Sequence, residues 1–243
     1  MFNSLNLELS SKCNKSCWMC GWNGDGGDME FSLIEKIASQ LPAGIVVQFH
    51  NRGESLLHPR FGEAVALFDR QIKCVNTNAK LIVKKADEII GNLDTITFSI
   101  FEGDTEWEEQ DHLIKEFLFL KGDRKPNVIY RVMGNVDREY DGLVARRAIH
   151  DADASKNYTS PVVIPEIGVC LDLLSHMAIN RKGDVSICVR QDPEGLGVIG
   201  DANHEDLNDI WGCQKRRDLI QQHLRGRREG LCSTCEYWGV SVG

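Results

Sequence analysis

The sequence predicts an α/β fold, in which a partial parallel β/α barrel is followed by a small C-terminal domain. Short apolar runs alternate with helical patterns up to residue 133, and this alternation is typical of a parallel sheet covered by helices. A complete barrel of eight such units needs about 250 residues, so only about five or six fit here. A polar connector over 134–165 then places the domain boundary between 1–150 and 151–243.

The individual elements follow from periodicity and from turn residues. The first helix is expected to begin with a capping box of Ser32 and Glu35 and to end at Pro42. The apolar run that follows is typical of a buried parallel strand. The predicted barrel strands are 2–9, 45–50, 72–78, 94–101 and 127–133, and the predicted helices are 32–41, 61–69, 84–92 and 112–120. Beyond the connector we expect a hairpin of 178–180 with 184–188, and one helix over 206–225.

Composition excludes several classes of protein. No apolar run among the 243 residues approaches the length that spans a membrane. Nine cysteines without a recognisable secretory signal favour a reducing compartment, and they favour metal binding over disulfides. The net charge of −8 argues against a broad nucleic-acid surface but allows a small-molecule substrate. We therefore expect a cytoplasmic protein, and a monomer.

Three cysteines, Cys13, Cys17 and Cys20, follow the first predicted strand. Three thiolates on one short loop can bind three irons of a [4Fe–4S] cube and leave the fourth iron open to an outside ligand. A zinc knuckle and a disulfide framework are the alternatives. Zinc would need a fourth close ligand, however, and 21–28 contains neither Cys nor His.

This cysteine spacing after an N-terminal strand resembles the motif of the radical S-adenosylmethionine (SAM) enzymes. The resemblance implies that the open iron is chelated by the amino and carboxylate groups of SAM. An electron from the cluster, supplied by a donor such as flavodoxin or ferredoxin, would cleave SAM to methionine and a 5′-deoxyadenosyl radical. That radical abstracts a hydrogen from the substrate. Trp18 and Met19, inside the motif, are expected to contact SAM.

The segment Arg52-Gly53-Glu54 follows the second predicted strand and resembles the family's Gly-Gly-Glu-Pro segment. The resemblance implies that Gly53 and Glu54 grip the SAM ammonium. Arg52 stands in place of the first glycine and Ser55 in place of the proline, and a plain βα turn is the alternative.

Three further SAM contacts are implied by the resemblance: Asn78, Ser99 and Arg131, on the third, fourth and fifth predicted strands. Asn78 belongs to a segment similar to the family's Thr-Asn-Gly, and Arg131 is the candidate ligand for the SAM carboxylate. Polar side chains at the carboxyl ends of parallel strands are where α/β folds place their ligands. His50, at the end of the second strand, either faces the substrate or is structural.

A second set of cysteines lies in the C-terminal region. One precedes the predicted hairpin, one lies on its second strand, and a Cys-x-x-Cys pair follows the helix. This arrangement resembles the twitch domain, a shortened form of the SPASM auxiliary-cluster domain. The resemblance implies a second [4Fe–4S] cluster with four thiolate ligands, and a structural zinc site is the alternative. The four are Cys170, Cys188, Cys232 and Cys235, while Cys74 is expected to be a buried strand residue and Cys213 an incidental helix residue.

In size and layout the chain resembles the radical SAM dehydrogenases that oxidise aminocyclitols such as 2-deoxy-scyllo-inosamine. This resemblance implies oxidation of a small sugar- or cyclitol-like substrate, with the auxiliary cluster accepting an electron. A redox-neutral aminomutase or epimerase is one alternative. A peptide maturase is another, less favoured because no peptide-recognition domain precedes Phe2. A zinc-bound interaction module is the non-enzymatic alternative.

Two connector residues are the candidate catalytic groups, Arg147 and His150. The resemblance implies an arginine beside the substrate, and Arg147 stands at a comparable distance before Cys170. A guanidinium stays charged and would orient a hydroxyl or an anion. His150 titrates near neutral pH and could act as the base. A solvated charge cluster on a linker is the alternative.

Overall fold

The computed structural model describes residues 2–22, 26–147, 169–189, 192, 194–233 and 235. Within them the strands form one nine-stranded sheet, in the order β6-β5-β4-β3-β2-β1-β7-β8-β9. The first six strands are parallel and follow one another in chain order, as the predicted βα units require. They are β1 (Ser4–Leu7), β2 (Val46–Phe49), β3 (Ile72–Thr77), β4 (Thr95–Phe101), β5 (Asn127–Met133) and β6 (Leu143–Arg147).

Four helices connect the first five strands and cover one face of the sheet. The outward residues of the strands are apolar and fully buried against them: Phe49 packs edge-on against Phe68, and Phe98 against Phe117. Because side chains alternate along a strand, the opposite face carries the polar residues of the same strands. The helices are α1 (Phe31–Gln40), α2 (Phe61–Ala66), α3 (Ala86–Ile89) and α4 (Trp107–Lys121).

The C-terminal region continues the barrel sheet on the other side of β1. Strand β7 (His176–Ile179) pairs with β1 in parallel, and β8 (Asp184–Ser186) pairs with β7 antiparallel, which is the predicted hairpin. Strand β9 (Val198–Asp201), which the sequence pattern did not indicate, adds antiparallel to β8. The helices of this region are α5 (Leu171–Ser175), α6 (Leu207–Trp211) and α7 (Gln214–Leu224). The predicted boundary at residue 150 lies outside the described residues.

Three local predictions are wrong. Helix α1 begins after Glu30 without a side-chain cap, and Ser32 lies inside it, so the capping box does not form. The predicted connector contains β6, an edge strand whose residues are mostly exposed and carry no apolar run. The predicted helix over 206–225 is two helices, because the chain breaks at Gly212; Cys213 caps α7, its sulfur accepting a hydrogen bond from the backbone N–H of Arg216.

Candidate cluster and SAM site

The three N-terminal cysteines lie on the irregular loop between β1 and α1. The loop turns at the second and third of them, where the N–H of Cys20 donates to the carbonyl of Cys17 at 3.0 Å. Burial, together with the negative charges of Cys20 and Cys13, raises the pKa of the Cys17 thiol to about 12, although the charge of Lys15 opposes the rise. Burial also raises the pKa of Cys13. The three thiols are thus close enough to interact electrostatically.

This donor set fits a cluster better than a single ion. Among the described residues, no three His, Cys, Asp or Glu side chains are arranged to hold one metal ion. A single zinc needs its ligands around one centre, whereas a cube binds each thiolate to a different iron. Three neighbouring thiols on one loop therefore match three irons with one coordination position left open.

A buried ion pair joins the cysteine-bearing loop between β1 and α1, hereafter the cluster loop, to the segment that follows β4. Lys15 Nζ lies 2.6 Å from Asp104 Oδ2, and both side chains are only 3% exposed. Lys15 also lies 3.6 Å from Glu106 and 5.0 Å from the ring centroid of Phe101. The exposed indole of Trp18 donates to the carbonyl of Glu102 at 2.9 Å. Lys15 and Trp18, which lie between the cysteines, therefore anchor the loop to the segment that follows β4.

The turn after β2 lies directly on the segment that precedes Cys13. Gly53 has φ +72°, and a Cβ there would lie 2.5 Å from the carbonyl oxygen of Lys12, so only glycine fits. The N–H of Glu54 donates to that same oxygen at 2.7 Å. The structure therefore places the turn that contains Gly53 and Glu54, hereafter the Gly-Glu turn, against the cluster loop.

The carboxylate of Glu54 is buried beneath this turn, with 2% exposure. Its oxygens accept hydrogen bonds from Thr77 Oγ1 at 3.0 Å and from the N–H groups of Asn78 at 2.8 Å and Leu56 at 3.2 Å. Burial raises the pKa of Glu54 to about 7, and these hydrogen bonds oppose the rise. Nearby, the amide oxygen of Asn51 is buried without a hydrogen-bond partner in the described part of the chain. Sequence reasoning missed Asn51, whose signal was its place one residue before Arg52. The turn therefore offers acceptors suited to an ammonium group.

The end of β3 also reaches the cluster loop. The Asn78 side-chain amide donates to Asn14 Oδ1 at 2.8 Å. Ala79 has φ +70°, a left-handed conformation that favours glycine, which is the residue of the family's Thr-Asn-Gly segment at this place. Met19, the other predicted contact within the cysteine motif, is buried.

The polar face of the sheet brings Ser99, Arg131 and Arg147 near one another. Ser99 and Arg131 are direct partners in the β4–β5 pairing, and Arg147 pairs with Met133 two residues further along β5. With the Asn76 amide oxygen turned towards it, the Arg131 guanidinium donates through both terminal nitrogens at 3.2 Å. Burial, together with the positive charge of Arg147, lowers the pKa of Arg131 to about 10.

His50 lies on the same face, beside this cationic pair. Burial lowers the pKa of His50 to about 4, and the charge of Arg131 acts in the same direction, so the imidazole is neutral at physiological pH. Arg147, predicted on a linker, lies on β6 instead, where its backbone is fixed by pairing. His150 lies outside the described residues.

The four C-terminal cysteines lie on three segments, of which one contacts α7 and the other two contact each other. Cys170 precedes α5, and its N–H donates to Nδ1 of the buried His223 on α7 at 3.3 Å. Cys232 ends a 3₁₀ turn, and its carbonyl accepts from the N–H of Cys235 at 3.2 Å. Cys188 follows β8, close to Ser186, and a Cβ on Gly197 would lie 3.1 Å from Ser186 Oγ and 2.6 Å from the Leu231 side chain. The segments of Cys188 and Cys232 therefore meet at Gly197.

Comparison with known proteins bears on the C-terminal cysteines and on the chain as a whole. The SPASM family, an iron–sulfur cluster-binding domain, matches residues 170–236, a span that contains all four C-terminal cysteines. The S-adenosyl-L-methionine-dependent 2-deoxy-scyllo-inosamine dehydrogenase of Niallia circulans is 25% identical over 260 residues, across 100% of this chain and 95% of that protein. The family model therefore assigns an iron–sulfur cluster-binding domain to residues 170–236, and a SAM-dependent dehydrogenase is similar to this chain along its whole length. These similarities support SAM and an iron–sulfur cluster as cofactors.

Further known proteins are similar in part or in fold. A tungsten-containing aldehyde ferredoxin oxidoreductase cofactor-modifying protein of Pyrococcus furiosus is 32% identical over 110 residues, which are 40% of this chain and 30% of that protein. The crystal structure of BtrN in an open conformation has a TM-score of 0.58 at 21% identity, covering 97% of this chain and 92% of that one. Streptococcus suis SuiB bound to the precursor peptide SuiA has a TM-score of 0.63 at 16% identity, covering 97% and 71%. These structures confirm the predicted fold of a partial barrel with an auxiliary domain.

In the part of the chain that the structure describes, every helix is too short or too polar to cross a lipid bilayer.

Proposed function

We propose that this radical SAM enzyme oxidises a secondary alcohol of a small sugar- or cyclitol-like substrate. The observation that carries the proposal is the similarity to the 2-deoxy-scyllo-inosamine dehydrogenase, which runs through the whole of this chain rather than through one domain. We place the barrel at 1–150 and the auxiliary domain at 151–243, and we assign two [4Fe–4S] clusters. Cys13, Cys17 and Cys20 bind the first cluster, and Cys170, Cys188, Cys232 and Cys235 bind the second.

We infer the contacts to SAM from the residues around the cluster loop. Glu54 and the unpartnered oxygen of Asn51 accept from the SAM ammonium. Arg131, which is charged and partly buried on β5, donates to the SAM carboxylate. The remaining contacts that we assign to SAM are Trp18, Met19, Gly53, Asn78 and Ser99.

The reaction balances as a two-electron oxidation. The first cluster and SAM, when bound, supply abstraction of a hydrogen atom from the carbinol carbon. The hydroxyl proton passes to a base, for which His150 is our candidate. The second cluster, held by Cys170, Cys188, Cys232 and Cys235, would supply an acceptor for the remaining electron. Arg147 orients the substrate hydroxyl from β6. A flavodoxin or ferredoxin supplies the electron that starts the first turnover, and the enzyme works as a monomer in the cytoplasm.

The role of Arg147 has a matched control on its own strand. Arg146 and Arg147 are both exposed, but they project from opposite faces of β6, since side chains alternate along a strand. Arg147→Ala should remove most substrate-dependent product formation while the iron content and the affinity for SAM stay unchanged. Arg146→Ala should keep wild-type turnover. Equal activity of the two variants would return Arg147 to the solvated surface.

A substrate carrying deuterium at the reacting carbon separates oxidation from the aminomutase alternative. Oxidation predicts one 5′-deoxyadenosine per product, with the label in 5′-deoxyadenosine and none returned to the product. An aminomutase returns the hydrogen to the product and regenerates SAM. Label found in the product would therefore contradict the dehydrogenase assignment. A peptide maturase would leave aminocyclitol substrates unconsumed.

A further inference from the structure

A buried carboxylate, Glu8, lies at the point where the barrel meets the C-terminal hairpin. Glu8 directly follows β1, its side chain is only 4% exposed, and its N–H donates to the carbonyl of Ile179 on β7 at 3.0 Å. A buried charge is costly unless hydrogen-bond donors surround it. Burial raises the pKa of Glu8, while hydrogen bonding and the charges of two arginines lower it.

Each oxygen of Glu8 accepts one backbone hydrogen bond, from a different turn. Oε2 accepts from the N–H of Arg52, at the start of the Gly-Glu turn, at 3.2 Å. Oε1 accepts from the N–H of Arg181, in the turn between β7 and β8, also at 3.2 Å. One side chain thus joins a barrel turn to a turn that lies within the SPASM-type region.

Both turns also contact the loop between β1 and α1. A Cβ on Gly53 would lie 2.5 Å from the Lys12 carbonyl oxygen, and a Cβ on Gly27 would lie 3.1 Å from Nη1 of Arg181. The Gly53 turn lies directly against backbone atoms of the loop, whereas the hairpin turn reaches Gly27 through the guanidinium of Arg181. Interiors packed in this way transmit small displacements rather than absorbing them.

We propose that Glu8 is a positioning residue through which the C-terminal hairpin holds the Gly-Glu turn in its SAM-binding position. The inference rests on the proposed function, in which that turn grips the SAM ammonium. It makes SAM affinity depend on one backbone N–H of the hairpin turn.

Two substitutions of Arg181, compared with each other, test the contribution of its backbone N–H group. The N–H of Gly183 donates to the carbonyl of Asn180 at 3.0 Å, so Arg181 is the second residue of a β-turn, a position that accepts proline. Arg181→Pro removes the N–H group that donates to Glu8, whereas Arg181→Ala keeps that N–H group and removes only the guanidinium. Glu8→Gln places an amide NH₂ against one of the two N–H groups and breaks one contact from the other side.

The measurement is SAM binding to the anaerobically reconstituted holoprotein, by equilibrium dialysis and by the change that SAM causes in the electron paramagnetic resonance signal of the reduced protein. Loss of one hydrogen bond to a buried charge weakens binding by about tenfold. We expect that loss in Arg181→Pro and in Glu8→Gln, with iron content unchanged, a raised KM for SAM and a smaller effect on kcat. Arg181→Ala should bind within about twofold of wild type, because it keeps the hydrogen bond.

The outcomes separate this inference from the proposed function. If Arg181→Pro binds SAM as tightly as Arg181→Ala, the coupling is overturned while the proposed function stands. If wild-type holoprotein does not bind SAM, the proposed function fails, and this inference fails with it. A lowered thermal midpoint would show that Glu8→Gln folds poorly. In that case the comparison of the two Arg181 variants is decisive, because both substitutions lie in the turn between β7 and β8 and leave the buried carboxylate in place.

Discussion

Replacing Gly53 by alanine tests the contact between the Gly-Glu turn and the cluster loop. Two costs add in this variant. The left-handed conformation at φ +72° costs an alanine about 1–2 kcal/mol. The new Cβ would lie 2.5 Å from the Lys12 carbonyl oxygen and 2.7 Å from that of Ser10, and overpacking against backbone costs about 1–3 kcal/mol more. We expect Gly53→Ala to lower the free energy of unfolding by about 2–5 kcal/mol.

Gly44 provides the matched control. It has φ +81°, and a Cβ there would have no neighbour within 4 Å, so Gly44→Ala carries the conformational cost alone. Urea denaturation of the reduced apoproteins, followed by circular dichroism, measures both variants against wild type. Gly53→Ala should be less stable than Gly44→Ala by about 1–3 kcal/mol, and its reconstituted form should retain less iron. Equal destabilisation of the two would refute the close contact.

Three further outcomes follow from the site. Lys15→Met leaves the buried carboxylate of Asp104 without its partner and should cost about 3–5 kcal/mol in urea denaturation, whereas Lys125→Met, at an exposed pair, should cost at most about 1 kcal/mol. Burial raises the pKa of Glu54 from 4.5 to about 7, so between these pH values the folded protein binds a proton that the unfolded chain has lost. The free energy of unfolding should therefore fall as pH rises from 4.5 to about 7, and Glu54→Gln should show a shallower fall in the same titration. Cys213→Ser should keep the iron content and at least the wild-type thermal midpoint, because serine is a good helix cap; lost iron would make Cys213 a ligand instead.

The parallel sheet could be predicted because buried strands leave continuous apolar runs in the sequence. Strand β5, at Asn127–Met133, has the predicted bounds, and β2, β3 and β4 lie within one or two residues of theirs. Strand β6 was missed because it pairs with β5 alone among the described strands and carries no apolar run. Its formation depends on a neighbouring strand rather than on its own residues.

Helix ends were predicted less well, because caps are decided by local geometry. Ser32 and Glu35 have the spacing of a capping box, yet the chain enters α1 one residue earlier, and the helix begins at Phe31. The break between α6 and α7 falls at Gly212, and tertiary packing of Trp211 against Phe2 fixes the first of the two helices. A helical periodicity that continues across such a break gives no sign of it.

Motif spacing predicted the elements of the site but not the contacts that join them. The cysteine motif and the Gly-Glu turn are recognisable in the sequence, and the structure places one on the other through Gly53. Glu8 carries no motif, because its two partners lie 44 and 173 residues away along the chain. Long-range contacts of this kind follow from the β1–β7 pairing, which no local pattern indicates.

Iron content is the most direct test of the assignment of two clusters to a radical SAM oxidoreductase. Anaerobically reconstituted wild-type protein should hold about eight irons and eight sulfides, the sum of two [4Fe–4S] clusters. Replacing Cys13, Cys17 and Cys20 together by alanine should leave about four irons, bound by the C-terminal cysteines, and should abolish SAM cleavage. Stoichiometric zinc with no iron retained in the wild-type protein would contradict the account.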